Sequence, residues 1–315
     1  MTIWLDGATA TELRRGGLPL SAPWWTTRAL TTEPRREALR AVHEGYLAAG
    51  ADVITAGTFR CNLRALRRIG LDEAGLAWMA HAAVGVARAA RGTGDALVAA
   101  SMAPVEDCYR PDLVPPDEVL AAEHRWLATE LMRVGVDLVL IETMNTAREA
   151  RIALEQVQAA GGRAWVSFVC ESDGRLLSGE RLADAASAVA RDGAEAVLVN
   201  CTAPADAEKA LAELRAACPG RIGCYPNNEV RDAAHRWTHV DETMPSAFTP
   251  DAYADLLAGW HDAYAPDILG GCCGTTAEHI AAARARLGDA SGTRGASGEP
   301  DADRAGNASG AGTEG

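Results

Sequence analysis

Short apolar runs recur along the chain, separated by longer segments rich in alanine and leucine. The runs are Ile3–Leu5, Asp52–Thr55, Ala96–Ala100, Asp137–Ile141, Ala164–Val169, Ala196–Val199, Arg221–Tyr225 and Asp267–Leu269. They are continuous and do not alternate with polar residues, as strands buried on both faces require. Helix signals fall between them. Gly50, Gly135 and Gly193 each stand just before a strand, where the residue after a helix belongs. Thr146 with Glu149, and Thr275 with Glu278, read as capping boxes. Thr249-Pro250-Asp251 reads as a cap followed by proline at the first helical position. Eight strands alternating with helices predict an α/β fold, a single-domain (β/α)8 TIM barrel over residues 1–288. A doubly wound open sheet is the alternative. Residues 289–315 are mostly Gly, Ala, Ser and Asp, with almost nothing apolar to bury, and read as a disordered tail.

Composition narrows the partners. The net charge of −13 argues against nucleic acid or an anionic membrane surface. No stretch approaches the ~20 consecutive apolar residues of a membrane-spanning helix. Met1-Thr2-Ile3-Trp4-Leu5-Asp6 lacks the basic region and apolar run of a signal peptide. A cytoplasmic location is therefore expected, with the eight cysteines as reduced thiols or metal ligands. Small molecules are the expected partners, and both a monomer and a homo-oligomer are compatible with the chain.

Polar and metal-capable residues collect directly after the predicted strands, on what would be the catalytic face of a barrel. Cys272-Cys273, flanked by glycines, is the sharpest feature. Two small buried hydrophobes would be the bland explanation. Zinc, however, favours thiolates in a tetrahedron. Cys201, which also follows a strand, is the best-placed third ligand, and three ligands leave one position open as in catalytic sites. Cys170 and Cys224 read as core, and Cys218 as a helix-end residue. Cys61 and Cys108 follow the second and third strands. His235 and His239 are four apart in a charged stretch and read as a solvated face. Asp6 and Glu142 are carboxylates at strand ends, suited to the amino group of an amino acid or, more plainly, to salt bridges and capping. Thr58 and Asn200, also at strand ends, are expected to complete the substrate site. Asn227-Asn228 reads as turn chemistry.

Taken in order, Asp6-Gly7-Ala8-Thr9, Ala49-Gly50-Ala51-Asp52-Val53-Ile54-Thr55, Ile141-Glu142-Thr143, Val199-Asn200-Cys201, Tyr225-Pro226-Asn227 and Gly270-Gly271-Cys272-Cys273-Gly274-Thr275-Thr276 resemble the homocysteine S-methyltransferase family. The resemblance covers residues 1–287. It implies a (β/α)8 barrel and Zn2+ on Cys201, Cys272 and Cys273. It also implies homocysteine sulfur in the open position, with its amino group on Asp6 and Glu142. The donors implied are S-methylmethionine or S-adenosylmethionine, with betaine as an alternative. With no cobalamin or folate segment, a methyltetrahydrofolate route is not expected. Four positions depart from the pattern. Gly274 stands where free-standing members often have Arg, Gly57 where Asn or Thr is usual, and Ala277 where Pro is usual. Arg60 follows Thr58-Phe59, where the betaine branch has Tyr. These departures leave the zinc ligands intact and bear on the identity of both donor and acceptor. A different thiol or selenol acceptor, and a non-catalytic zinc or redox sensor, are the competing functions.

Overall fold

The computed structural model describes residues 2–230 and 244–294. Each predicted run forms a strand: β1 (Ile3–Trp4), β2 (Val53–Ala56), β3 (Leu97–Met102), β4 (Leu138–Met144), β5 (Ala164–Phe168), β6 (Ala196–Asn200), β7 (Arg221–Tyr225) and β8 (Ile268–Leu269). Every pairing is parallel, in the order β1-β8-β7-β6-β5-β4-β3-β2. A bridge between Leu5 and Val53 joins the two ends of that order. The sheet is thus a closed barrel, and the Leu5–Val53 bridge between the ends of the order rules out the open-sheet alternative.

The apolar runs divide by the two-residue period of a strand. One set, including Leu5, Val53, Leu140, Trp165, Leu198 and Ile268, meets inside the barrel. Their neighbours, such as Ile54, Val139, Ile141, Phe168, Val199 and Leu269, face outward and pack on the helices. The principal helices are α1 (Thr9–Arg15), α2 (Glu33–Ala48), α3 (Leu63–Arg68), α4 (Glu73–Arg91), α5 (Asp117–Val134), α6 (Ala147–Ala159), α7 (Leu182–Arg191), α8 (Pro204–Ala217), α9 (Pro250–Tyr264) and α10 (Ala277–Arg294). Gly50, Gly135 and Gly193 end helices with φ of +92°, +81° and +99°, the left-handed region glycine enters without a Cβ penalty.

The capping signals resolve unevenly. Thr249 caps α9, accepting from Ala252 N at 3.3 Å. Thr146 caps α6, accepting from Glu149 N at 3.2 Å. The reciprocal half of that box is not made. Glu149 is wholly buried and accepts instead from Val105 N at 2.7 Å, so it holds the loop after β3. Thr275 does not cap α10, which begins one residue later than the box requires. Its hydroxyl is committed to the double-cysteine turn, donating to Cys272 O at 2.6 Å and accepting from Ala8 N at 3.2 Å.

Helix α10 is continuous through Arg294, so the boundary drawn at residue 288 falls within it. The rest of the expected tail, 295–315, lies outside the described residues, as do His235 and His239. Among the described residues, no helix is long and apolar enough to cross a membrane.

The interior packing can be tested at Leu198, which is fully buried in the inner cluster. Leu198→Ala is expected to cost about 2–5 kcal/mol in denaturant unfolding, through lost burial and the cavity left behind. A loss well under that range would show that the barrel interior is not packed as described.

Candidate active site

At the C-terminal end of the barrel the inward-facing period continues but changes chemistry. Thr55, Ser101, Glu142, Ser167 and Asn200 each stand two residues beyond an inward apolar residue, namely Val53, Ala99, Leu140, Trp165 and Leu198. The same alternation that fills the barrel with aliphatic groups therefore lays a polar layer on top of them. Tyr225 on β7 completes it.

That layer is hydrogen-bonded throughout. Glu142 accepts from the Ser101 hydroxyl and from Tyr225 OH, the latter at 3.0 Å. Asp6 accepts from Thr55 N at 2.7 Å and Thr55 Oγ1 at 2.9 Å. Both carboxyls are buried, and burial pushes each up to about 7 despite these donors, with the charge of Asp6 adding to the rise at Glu142. Asn200 accepts from Thr143 N at 3.0 Å and Ser167 Oγ at 2.8 Å, and donates to Thr143 Oγ1 at 2.8 Å. Thr143 has a φ of +59° and the β4–β5 register shifts between Ile141 and Met144, so a bulge follows directly on Glu142. Asn200 holds that bulge in place while its own successor, Cys201, turns into the site with a φ of +52°. Left-handed backbone at two non-glycine residues is strain concentrated around one site.

The double cysteine reaches the same place from β8. Cys272 N donates to Pro226 O at 2.9 Å, and Asn228 N donates to Cys273 O at 2.6 Å. Gly271 N donates to Asp6 O at 3.1 Å, and Gly274 N to Thr11 Oγ1 at 3.0 Å. Asn227 Nδ2 donates to Cys201 O at 3.0 Å. Asn227 and Asn228 are therefore more than turn chemistry, because they strap both cysteine segments to β7. Gly274 has a φ of +82°, and a Cβ there would lie 2.7 Å from the backbone carbon of Asn228. A side chain at 274 would need both strain and a shift of the β7 loop, which accounts for glycine at this departure from the family pattern.

The sulfurs of Cys201, Cys272 and Cys273 all lie within 4.8 Å of one another. Cys201 Sγ is 2.9 Å from Cys272 Sγ and 4.0 Å from Cys273 Sγ. The Cys201 thiol is pushed well above its ordinary range, first by hydrogen bonding to Cys272 and Cys273 and then by burial. The Cys272 thiol is raised likewise, so the ionised forms of this pair are disfavoured unless a cation compensates them. Among the described residues, no other set of three or more His, Cys, Asp or Glu side chains comes together in this way.

The cysteines, Asp6 and Glu142 line one cavity of about 200 Å³. Its rim includes Arg14, Trp25, Phe59, Arg60, Tyr109 and Glu229. Tyr109 OH is 3.9 Å from Cys201 Sγ. Cys108 also lines the cavity, and burial pushes its thiol up to about 12. Cys61 is enclosed away from it, with its thiol pushed up to about 12 by burial. Cys170 and Cys224 are core residues, and Cys218 is a buried residue at the end of α8, as their positions suggest. Thr58 and Asn200 do not line the cavity. Thr58 is fully buried and donates to Ser101 O at 2.8 Å, and the hydrogen bonds of Asn200 all go to protein groups. Both act behind the site rather than in it. Ser101 and Ser167 belong to no sequence motif noted above, and Thr55 and Tyr225 stand in motifs without a role assigned to them there, although following the two-residue period along each strand from its inward apolar residue finds Thr55, Ser101 and Ser167.

Comparison with known proteins agrees with this geometry. A family model described as Homocysteine S-methyltransferase matches residues 3–287. A homocysteine S-methyltransferase of Escherichia coli is 32% identical over 300 residues, covering 90% of this chain and 94% of the relative. Bacillus subtilis YbgG, also a homocysteine S-methyltransferase, is 28% identical, covering 88% of this chain and 92% of that protein. A selenocysteine Se-methyltransferase of Brassica oleracea is 28% identical, covering 90% of this chain and 88% of the relative. The metallated form of the E. coli homocysteine methyltransferase MmuM superposes with a TM-score of 0.78 at 30% identity, covering 90% of this chain and 96% of that one. A closed eight-stranded barrel with three cysteines and two carboxylates at its C-terminal mouth, matched along nearly its whole length, belongs to the homocysteine S-methyltransferase family.

Proposed function

We propose that this protein moves a methyl group from a sulfonium donor to the thiol of homocysteine, with zinc held by Cys201, Cys272 and Cys273. The observation that carries the proposal is the three-sulfur cluster opening on the same cavity as two buried carboxylates. The cluster fits zinc. Tetrahedral coordination at ~2.3 Å per Zn–S bond sets sulfurs roughly 3.8 Å apart. The 4.0 Å pair matches that spacing, whereas the 2.9 Å pair is tighter than a tetrahedron allows and has to open to take the ion. Three thiolates and no fourth protein ligand among the described residues suit a site that takes a substrate atom. The E. coli relative crystallises in a metallated form, which is consistent with a metal centre here.

A bound zinc ion supplies the Lewis acidity that keeps the acceptor sulfur a thiolate at neutral pH, where a free thiol with a pKa of about 8.5 is mostly protonated. The protein does the rest by placement. Asp6 and Glu142 each accept two hydrogen bonds, and a carboxylate has room for about four. Their remaining capacity faces the cavity and suits the acceptor's ammonium group. Thr55, Ser101 and Tyr225 fix the two carboxylates, and Asn200 fixes the bulge that aims Glu142. The Tyr109 hydroxyl beside the Cys201 sulfur steadies that sulfur. The acceptor sulfur then forms a bond to the methyl carbon as the bond from that carbon to the donor sulfur breaks. The electron pair stays on the donor, which leaves as a neutral thioether. No side chain need move a proton during this step, so catalysis rests on orientation.

A selenol acceptor is the second reading. It is favoured by the selenocysteine Se-methyltransferase name of the Brassica relative, and the same ammonium site would serve it. Betaine remains a competing donor. A zinc or redox sensor has no use for the carboxylate pair. Incubating the zinc-loaded protein with homocysteine or selenocysteine and each of S-methylmethionine, S-adenosylmethionine and betaine decides among them. Methionine formed from a sulfonium donor is the expected product. No product from any pair would refute methyl transfer to these acceptors.

The purified protein is expected to carry about one zinc per chain. Cys272→Ser and Cys273→Ser should each lower that content and remove methyl transfer, and stripping the metal by chelation should stop turnover until zinc is restored. Retention of full activity after stripping would contradict the proposed centre.

The carboxylates impose a pH dependence. An ammonium group binds the ionised carboxyls, and in the free protein both are raised to about 7. Acid therefore removes the binding form. The ratio kcat/KM for homocysteine should climb from about pH 6 to about pH 8, and KM should carry more of the change than kcat. Glu142→Gln should raise KM roughly tenfold or more, since a charge-assisted hydrogen bond contributes about 1.5–3 kcal/mol. A pH-independent KM, or a variant with unchanged KM, would show that the ammonium lies elsewhere.

A further inference from the structure

The double cysteine demands more of its backbone than the barrel alone supplies. Neighbouring side chains in an extended chain point to opposite faces, yet the sulfurs of Cys272 and Cys273 both lie within 4.8 Å of Cys201. Strand β8 is only two residues long and ends before them. Their placement therefore depends on what grips the turn from behind. Cys273 O accepts from Asn228 N at 2.6 Å, and Gly274 O accepts from Asn228 Nδ2 at 3.4 Å. Gly270 O accepts from Tyr253 OH at 2.8 Å. Asn228 is in turn fixed by Phe248, whose N donates to Asn228 Oδ1 at 2.8 Å and whose O accepts from Nδ2 at 3.1 Å.

His279 stands where these partners meet. It is buried, lies outside the cavity and has no part in the chemistry described above. It is the third residue of α10, and Thr276 N donates to its Nδ1 at 3.2 Å. The capping box of this helix is therefore Thr276 with His279, one residue on from Thr275 with Glu278, and an imidazole stands where Glu or Gln is usual. Nε2 is 3.1 Å from Phe248 O and 2.9 Å from Asn228 Nδ2. Two of these neighbours have fixed roles, since a backbone N–H only donates and a carbonyl only accepts. They set the tautomer, in which Nδ1 accepts and Nε2 carries the proton. Burial holds the imidazole below its ordinary range, which keeps the ring neutral as this arrangement requires. Nε2 and Asn228 Nδ2 then donate to one carbonyl, that of Phe248. The Tyr253 ring packs edge-on against the imidazole, with centroids 5.6 Å apart.

We propose that His279 is a positioning residue for the metal centre. It ties the first turn of α10 to Phe248 and Asn228, and so holds the backbone of Cys273 where its sulfur can share an ion with Cys201 and Cys272. The inference rests on the reading that zinc binds these sulfurs. Residues standing behind metal ligands typically change metal affinity by about 10–100-fold when removed.

The test reads zinc affinity of the full-length protein by competition with a chromophoric chelator, and thiolate–cobalt absorption after loading with cobalt(II). His279→Phe keeps a ring against Tyr253 and loses both nitrogens. It should weaken zinc about tenfold or more and lower the absorption per bound cobalt ion. His279→Gln offers an amide oxygen to Thr276 N and an amide nitrogen to Phe248 O on a more flexible side chain. It should bind zinc better than His279→Phe and less tightly than wild type. Leu154→Ala, a change to a fully buried residue of α6, controls for lost stability alone and should leave both readouts at wild-type values. The proposal is overturned if either His279 variant binds zinc as wild type does, or if glutamine is no better than phenylalanine. It is equally overturned if Leu154→Ala weakens zinc as far. Wild type that takes up no zinc would overturn the zinc reading and this inference together, whereas zinc held equally by wild type and His279→Phe would overturn this inference alone.

Discussion

Closure of the sheet through β1 is the constraint on which the rest depends. The strand is two residues long, yet Ile3 and Trp4 pair with β8 on one side and Leu5 bridges to β2 on the other. Leu5 N donates to Leu269 O at 2.8 Å and Asp6 N to Val53 O at 3.0 Å. This pairing puts the sixth residue of the chain beside the double cysteine, so that Gly271 N reaches Asp6 O. A carboxylate from one end of the sequence and sulfurs from the other then share one cavity. An open sheet would leave β1 and β8 without this contact and the site would not assemble.

The polar layer above the aliphatic interior trades stability for placement. Burying Asp6 and Glu142 disfavours their ionised forms, and the donors Thr55, Ser101 and Tyr225 offset only part of that cost. The strained backbone at Thr143 and Cys201 costs more again. Such a cluster of unfavourable terms persists where surrounding contacts overdetermine it. Here they are the Asn200 bonds to Thr143 and Ser167, the Asn227 bond to Cys201 O, and the closely packed turn at Gly274. Positive charge brought to the carboxylates and to the sulfurs, as in the proposed function, is what relieves the electrostatic part of that cost.

The rim obeys a different logic from the floor. The floor is built from strand ends, which the barrel fixes. The rim comes from the segments after β1, β2, β3 and β7, whose residues vary without disturbing the strands. Arg60, Tyr109 and Trp25 belong there. That division explains how a chain can keep its sulfur cluster and carboxylates while departing from the family pattern at Gly57 and Arg60.

The sequence by itself determined the strand count, the α/β class and the metal-capable cysteines. Each rests on local chemistry: continuous apolar runs need burial on both faces, and thiols placed directly after such runs stand where a barrel gathers its ligating groups. It also pointed to Asp6 and Glu142, because both directly follow a strand. Only the tertiary structure decided which polar residues hold and which touch. Thr58 and Asn200 look from the sequence like members of the site, but their hydrogen bonds run to Ser101, Thr143 and Ser167, so they stand behind it. Thr275 looks like a helix cap, yet its hydroxyl closes the cysteine turn. Ser101 forms no motif and Tyr225 stands in one without an evident role, and the part each plays is legible only with Glu142 between them. A motif marks the residue type at a strand's end. Which neighbour that side chain meets across the barrel depends on the register of closure, which no single segment carries.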